Sequence, residues 1–262
     1  MDLIAALDQT WGSIRELLRS LDPRGWDSPT ACSEWSVRDM AAHLGAVEGG
    51  FLGFEQPPAP DGWTTPHTGV DAWTAQGVAA RRDWSTAQLV EEVDRVAETR
   101  LAQLRGLDDD GWKEPTMGPL GETTMRGLAE IRLLDVYIHL LDMRSGLARP
   151  LAVEGEPEAL EGCVQRAVHL SPWGAAKKAG LGDGTRIRLH LYGPSATTAD
   201  VVVAGGRGSL ATPEGDVDDT VEGPAPAYLL LVTGREDLVE DVGGICAMGE
   251  AATALFDHYR FF

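Results

Sequence analysis

A helix that is apolar on most of its sides, yet carries two aspartates and a histidine on one of them, is the strongest constraint in this chain. Residues 124–145 read TMRGLAEIRLLDVYIHLLDMRS. At about 100° per residue, Leu128, Ile131, Asp135, His139 and Asp142 fall on one side, while Leu133, Leu134, Val136, Tyr137, Leu140 and Leu141 cover much of the rest. A helix apolar nearly all round is a buried one. Its carboxylates and imidazole must then face something polar, because burying unpaired charge is costly. A water-filled cavity or a metal ion satisfies them. Gly146 suits the end of this helix, and Pro150 follows it.

The rest of the chain divides by its periodicity. Leu3, Leu7, Ile14, Leu17, Leu18 and Leu21 predict a first helix over 2–21, ended at Asp22-Pro23. Ser36-Val37-Arg38-Asp39 reads as a capping box, opening a helix with Val37, Met40, Leu44, Val47 and Phe51 on one face. Residues 55–68 are a Pro-rich loop; helical patterns follow over 69–84 and, after an N-cap at Ser85, to about 104. Residues 106–124 read as a long loop. After a helix over 157–170, SPWGAAKKAGLGDG reads as a flexible connector. The period then changes. TRIRLHLYG and TADVVVAGG alternate as strands do, RGSLATPEGDVDDTVEG suggests a third strand with room for a fourth, PAPAYLLLVTGRED is a short helix with a loop, and 244–259 is helical. The class is α+β: a helical domain over 1–170 and a small α+β domain over 183–262.

The formal net charge is -19. Nucleic-acid affinity depends on neutralising phosphates with Lys and Arg, so a nucleic-acid partner is not expected, nor an anionic membrane surface. The longest apolar run is far short of about 18 residues, and the opening MDLIAALDQTW lacks a basic n-region; neither a membrane span nor a signal peptide is predicted. The three cysteines lie far apart without C-x-x-C, which disfavours a disulfide framework or zinc finger. Cys32 reads as a small buried hydrophobe, Trp35 as packing at a helix entry, and Trp26 and Trp173 as loop residues lining a cleft. The expected compartment is the cytoplasm; the oligomeric state is open.

Asp135 and His139 are four apart and so share a helix face. His43, beside Met40 and Val47, flanks the buried stripe of its own helix. Together the three offer N, N and O donors, the pattern of a catalytic zinc site with one position left open; nickel or iron would also accept it. Asp142 can orient His139 from behind. The same spacing also serves a core histidine hydrogen-bonded to Asp135 or Asp142, with His43 on the surface. The pattern by itself leaves both readings open.

PTACSEWSVRDMAAHLG and RLLDVYIHLLDMRSGL, in that order, resemble the two signatures of the mycothiol-dependent maleylpyruvate isomerase family. The resemblance implies a DinB-like four-helix bundle with a sterol-carrier-like C-terminal domain, the latter carried by RIRLHLYGP, DVVVAGG and LLLVTGRED. It implies metal ligands at His43, Asp135 and His139. One departure is Asp135, where the family usually has Glu, one methylene longer. Arg235, in the T-G-R segment, is the implied catalytic residue, gripping a substrate carboxylate by its fork. The implied cofactors are a divalent metal, zinc first, and mycothiol. The implied reaction is isomerisation or thiol transfer on a small electrophilic, acidic substrate. The other class of function is a metal-free small-molecule-binding or cyclising scaffold in natural-product metabolism. Zinc-containing anti-sigma proteins, a third class, use closely spaced His and Cys ligands, which this chain lacks.

Overall fold

The computed structural model of the chain describes every residue except Ser33, Leu120 and Phe262. The chain forms two compact units, Asp2–Leu151 and Ala152–Phe262. Among the described residues, no helix is long and apolar enough to cross a membrane.

The first unit contains α1 (Leu3–Arg19), α2 (Pro23–Trp26), α3 (Val37–Phe51), α4 (Gly69–Ala79), α5 (Thr86–Arg105), strands β1 (Pro115–Gly118) and β2 (Gly121–Thr124), and α6 (Met125–Gly146). Both α1 and α3 pack against α5 and α6, which closes a four-helix bundle. Each bundle helix starts at a side-chain cap. Asp2 accepts from Ile4 and Ala5, Thr124 accepts from Gly127, and Ser36–Asp39 and Ser85–Gln88 form reciprocal capping boxes. The predicted burial of α6 holds: Leu133, Leu134, Val136, Tyr137, Ile138, Leu140 and Leu141 are all buried. The long loop read over 106–124 differs. Its second half is an antiparallel hairpin, Pro115 paired with Thr124 and Gly118 with Gly121, whose short polar strands give no alternation to read.

The loop before α3 lies across the end of α6. Ala31 donates to the Asp142 carbonyl at 3.5 Å, and Pro29 approaches Gly146 so closely that a Cβ there would stand 1.8 Å from the Pro29 oxygen. Thr30 ties the loop shut, its amide and its hydroxyl both donating to the Trp35 carbonyl, at 3.1 and 2.8 Å. This contact aims Trp35 at the interior of the bundle. Trp26 ends α2 and is buried, rather than lining a cleft from a loop.

The second unit contains α7 (Pro157–Trp173), β3 (Arg186–Tyr192), β4 (Thr197–Ala204), β5 (Arg207–Ala211), β6 (Asp219–Pro224), α8 (Ala225–Val232), β7 (Cys246–Met248) and α9 (Glu250–His258). The sheet order is β5-β4-β3-β6-β7; β3 and β6 are parallel and the other neighbours antiparallel. Ile187, Leu189 and Leu191 alternate inward along β3, and α7, α8 and α9 pack on the sheet. The sequence places the domain boundary near residue 170, whereas the first unit ends at Leu151. Helix α7 joins the sheet because Leu160, Cys163, Val164, Ala167 and Val168 form a buried stripe, and Gly208 lets β5 reach it: a Cβ there would stand 2.0 Å from the Pro172 oxygen. The predicted flexible connector begins as the last turn of α7 and continues as a π-helical turn over Gly174–Lys178. Trp173 lies at the end of α7 and is exposed, not in a loop. The helix read over 244–259 begins as edge strand β7 before α9.

Replacing Gly146 with Ala should destabilise the protein by about 1–3 kcal/mol, the usual cost of overpacking, because the added methyl meets backbone on the opposing loop. Urea denaturation checks this; an unchanged midpoint would mean that the loop can retreat freely.

Candidate metal centre

His43 sits two turns into α3, beyond the capping box that fixes where the helix begins. Asp135 and His139 are one turn apart on α6, which packs against α3. Their side chains meet inside the bundle. One potential ligand atom from each of the three lies within 4.8 Å of the others. His43 Nε2 is 3.6 Å from Asp135 Oδ2, and His139 Nε2 is 3.7 Å from Asp135 Oδ1. The two imidazoles are nearly perpendicular, with ring centroids 4.7 Å apart. Around a tetrahedral zinc with bonds of about 2.0–2.2 Å, donor atoms stand about 3.3–3.6 Å apart; each imidazole is near that distance from one carboxylate oxygen, while the set with one atom from each residue spreads to as much as 4.8 Å, so the donors surround a position for one ion and would draw in slightly around it.

Two further observations bear on that fit. Both ring nitrogens of His43 are buried without a hydrogen-bond partner in the described structure, and a buried polar group left unmade is expensive. His139 Nδ1 lies 2.9 Å from Asp142 Oδ2. With Nδ1–H donating to that carboxylate, the His139 lone pair is on Nε2, which faces Asp135. The core-histidine reading is thus met at Asp142, with Nε2 turned toward Asp135 Oδ1; the alternative of a surface His43 is not met, since its side chain is only 5% exposed.

The surroundings carry charge that the sequence reading does not pick out. Arg132 Nη2 is 2.8 Å from Asp135 Oδ2, an ion pair without hydrogen-bond alignment. Arg132 Nε donates to Glu48 Oε2 at 2.9 Å, and the other Glu48 oxygen accepts from Arg100 Nε. All three side chains are buried. Burial pushes the His43 pKa down to about 4, aided by His139 and Arg132 and opposed by Asp135. Burial alone would raise Asp135; the Arg132 guanidinium and the two imidazoles outweigh it and hold the carboxyl well below its usual range. Glu48 is likewise held down by Arg132 and Arg100 against its burial.

Trp35 covers the pair of imidazoles, its ring centroid 4.6 Å from His43 and 6.3 Å from His139. Cys32, expected to be buried, is half-buried. Arg235 belongs to the second unit, where it is half-buried. Its backbone N–H donates to the Leu230 carbonyl at 2.8 Å, with Gly234 left-handed at φ 77°, so the T-G-R segment is a helix C-cap of the Schellman type. The Arg235 guanidinium donates to the Thr233 carbonyl.

A family model described as the mycothiol maleylpyruvate isomerase N-terminal domain matches residues 7–144. Two solved structures, a mycothiol-dependent maleylpyruvate isomerase and a histidine-to-alanine mutant of it, share the fold. Each is 15% identical to this chain with a TM-score of 0.60, over 94% of this chain and 91% of the other. No match was found among curated proteins. The matched residues span more than half of the chain and include His43, Asp135 and His139. The chain belongs to the mycothiol maleylpyruvate isomerase N-terminal domain family.

Proposed function

We propose that the chain is a metal- and mycothiol-dependent isomerase or thiol transferase acting on a small electrophilic, acidic substrate. The observation that carries this reading is the convergence of His43, Asp135 and His139, one ligand atom each within 4.8 Å, in the core of the bundle. His43 and His139 would each hold the ion through Nε2, and Asp135 through a carboxylate oxygen. A zinc-like dication held there would lower the pKa of a thiol bound to it, the chemistry needed either for reversible addition to an activated double bond, which isomerises it, or for addition completed by protonation of the adjacent carbon, which is thiol transfer. Asp142 keeps the His139 ring in the required tautomer. Trp35 shields the imidazoles on one side. Arg235 is the candidate for gripping a substrate carboxylate.

The charges of the cluster support an anionic ligand. With Glu48, Asp135 and Asp142 ionised against Arg100 and Arg132, one net negative charge is left among these five side chains. A dication turns that into one net positive. In a buried site such a charge favours a thiolate over a neutral ligand. A metal-free scaffold remains a second reading for one reason: Arg132 already gives Asp135 a counterion without any metal.

Elemental analysis separates the two. The expected result is one zinc per chain, lost in His43→Ala and His139→Ala, and a cobalt-substituted protein whose spectrum changes when mycothiol is added. Purified protein that holds no metal yet transforms a ligand would overturn the metal reading; an unchanged cobalt spectrum would overturn the thiol chemistry.

In protein stripped of metal, His43 should make stability fall with acidification. The unfolded imidazole takes a proton near its ordinary pKa of 6.5, while the folded one resists until about 4. Stability from this source is complete above the unfolded value and lost as pH drops through the window. Urea midpoints across pH 4–7 should decline less steeply in His43→Gln; parallel curves would exclude His43 as the source.

A further inference from the structure

The metal reading gives no role to Arg132, although it is the group in closest contact with Asp135. Arg132 lies one turn before Asp135 on α6, with its side chain 2% exposed. Its Nε is fixed by Glu48 on α3, and Glu48 is fixed in turn by Arg100 on α5, whose Nη1 donates to Gln103 at 2.5 Å. The far end of this chain, Arg132 Nη2, meets Asp135 Oδ2 at 2.8 Å. That oxygen also faces His43, while Oδ1 faces His139.

An aspartate left to itself has a broad, roughly two-fold terminal torsion. Ordering it on ion binding would cost affinity, and preorganised ligands avoid that cost. We propose that Arg132, anchored by Glu48, is a positioning residue that holds Asp135 with one oxygen toward each imidazole before an ion arrives. The proposal rests on the metal reading of this site.

Two effects of Arg132 oppose each other. Its positive charge repels a dication, and the same charge, fixed by Glu48 at 2.8 Å from Asp135 Oδ2, draws the carboxylate into place. Glu48, shared with Arg100, offsets part of the charge, and the proposal is that positioning outweighs the rest. Lysine separates the two, because it keeps a charge but cannot bridge two carboxylates as a guanidinium does. Arg132→Lys should weaken zinc binding by about 10–100-fold, the usual effect of losing an outer partner of a ligand, and should shift the visible bands of the cobalt form. Arg132→Met should also weaken binding. In an Asp135→Ala background, Arg132→Lys should have no further effect on zinc affinity, whereas damage to the bundle at large would persist there.

Zinc affinity is read by chelator competition and folding by circular dichroism. If Arg132→Lys does not fold, Glu48→Gln, which keeps the shape of the anchor, carries the same expected band shift. Wild-type protein that takes up no metal overturns the site reading and this proposal with it. Metal-binding wild type with a folded Arg132→Lys (or Glu48→Gln) of unchanged affinity and spectrum overturns the proposal alone, as does tighter binding in Arg132→Met.

Discussion

The carboxylate of Glu48 holds two arginines in the interior of the bundle, and the geometry of the site depends on it. Glu48 is wholly buried on α3, Arg100 on α5 and Arg132 on α6 are 1–2% exposed, and the pairs are direct. Each charge removed from water costs several kcal/mol, and removing one partner of a buried pair costs about 3–5 kcal/mol. The three helices therefore cannot slide independently. A one-turn slip of α6, about 5.4 Å, would unpair Arg132 from Glu48 and carry Asp135 and His139 away from His43 by the same distance. The interaction that fixes the register of the bundle also fixes the distances between His43, Asp135 and His139.

What sequence reveals of such a site is its local part. Asp135, His139 and Asp142 are legible because three- and four-residue spacing on one helix is a statement about one face. His43 is legible because the Ser36–Asp39 box sets where its helix starts, and hence which way it points. Arg132 sits on that same stretch, three before Asp135, but its meaning lies in Glu48, 84 residues away, and periodicity says nothing about such a pair. Trp35 is hidden for another reason. Its place over the imidazoles depends on a loop pinned by Thr30 and on the missing side chain of Gly146.

The second unit follows the same rule. Strands β3 and β4 are legible from alternation, while three-residue β7 offers too little sequence for any period to appear. The apolar stripe of α7 reveals that the helix is packed but not against what, which is why the boundary falls elsewhere than expected. The T-G-R segment is a further case. Its glycine ends α8 in the left-handed region and its backbone closes the helix cap, so the tripeptide encodes a helix end, and the residue after it inherits a fixed position whatever its side chain does.

The three side chains of the cluster are conditioned by three different physical routes. Metal ligands must be deprotonated. For His43 the route is burial, which disfavours the imidazolium and leaves a lone pair at neutral pH. For Asp135 burial works in the wrong direction, and the guanidinium of Arg132 reverses it. For His139 it is the contact of Nδ1 with Asp142 Oδ2, which orients the ring with Nε2 toward Asp135. A change that spares all three side chains can still disturb the cluster, because Arg132 is the nearest countercharge to Asp135 and Asp142 holds the His139 ring. In this bundle the outer charges are as much a part of the site as the atoms that would touch an ion.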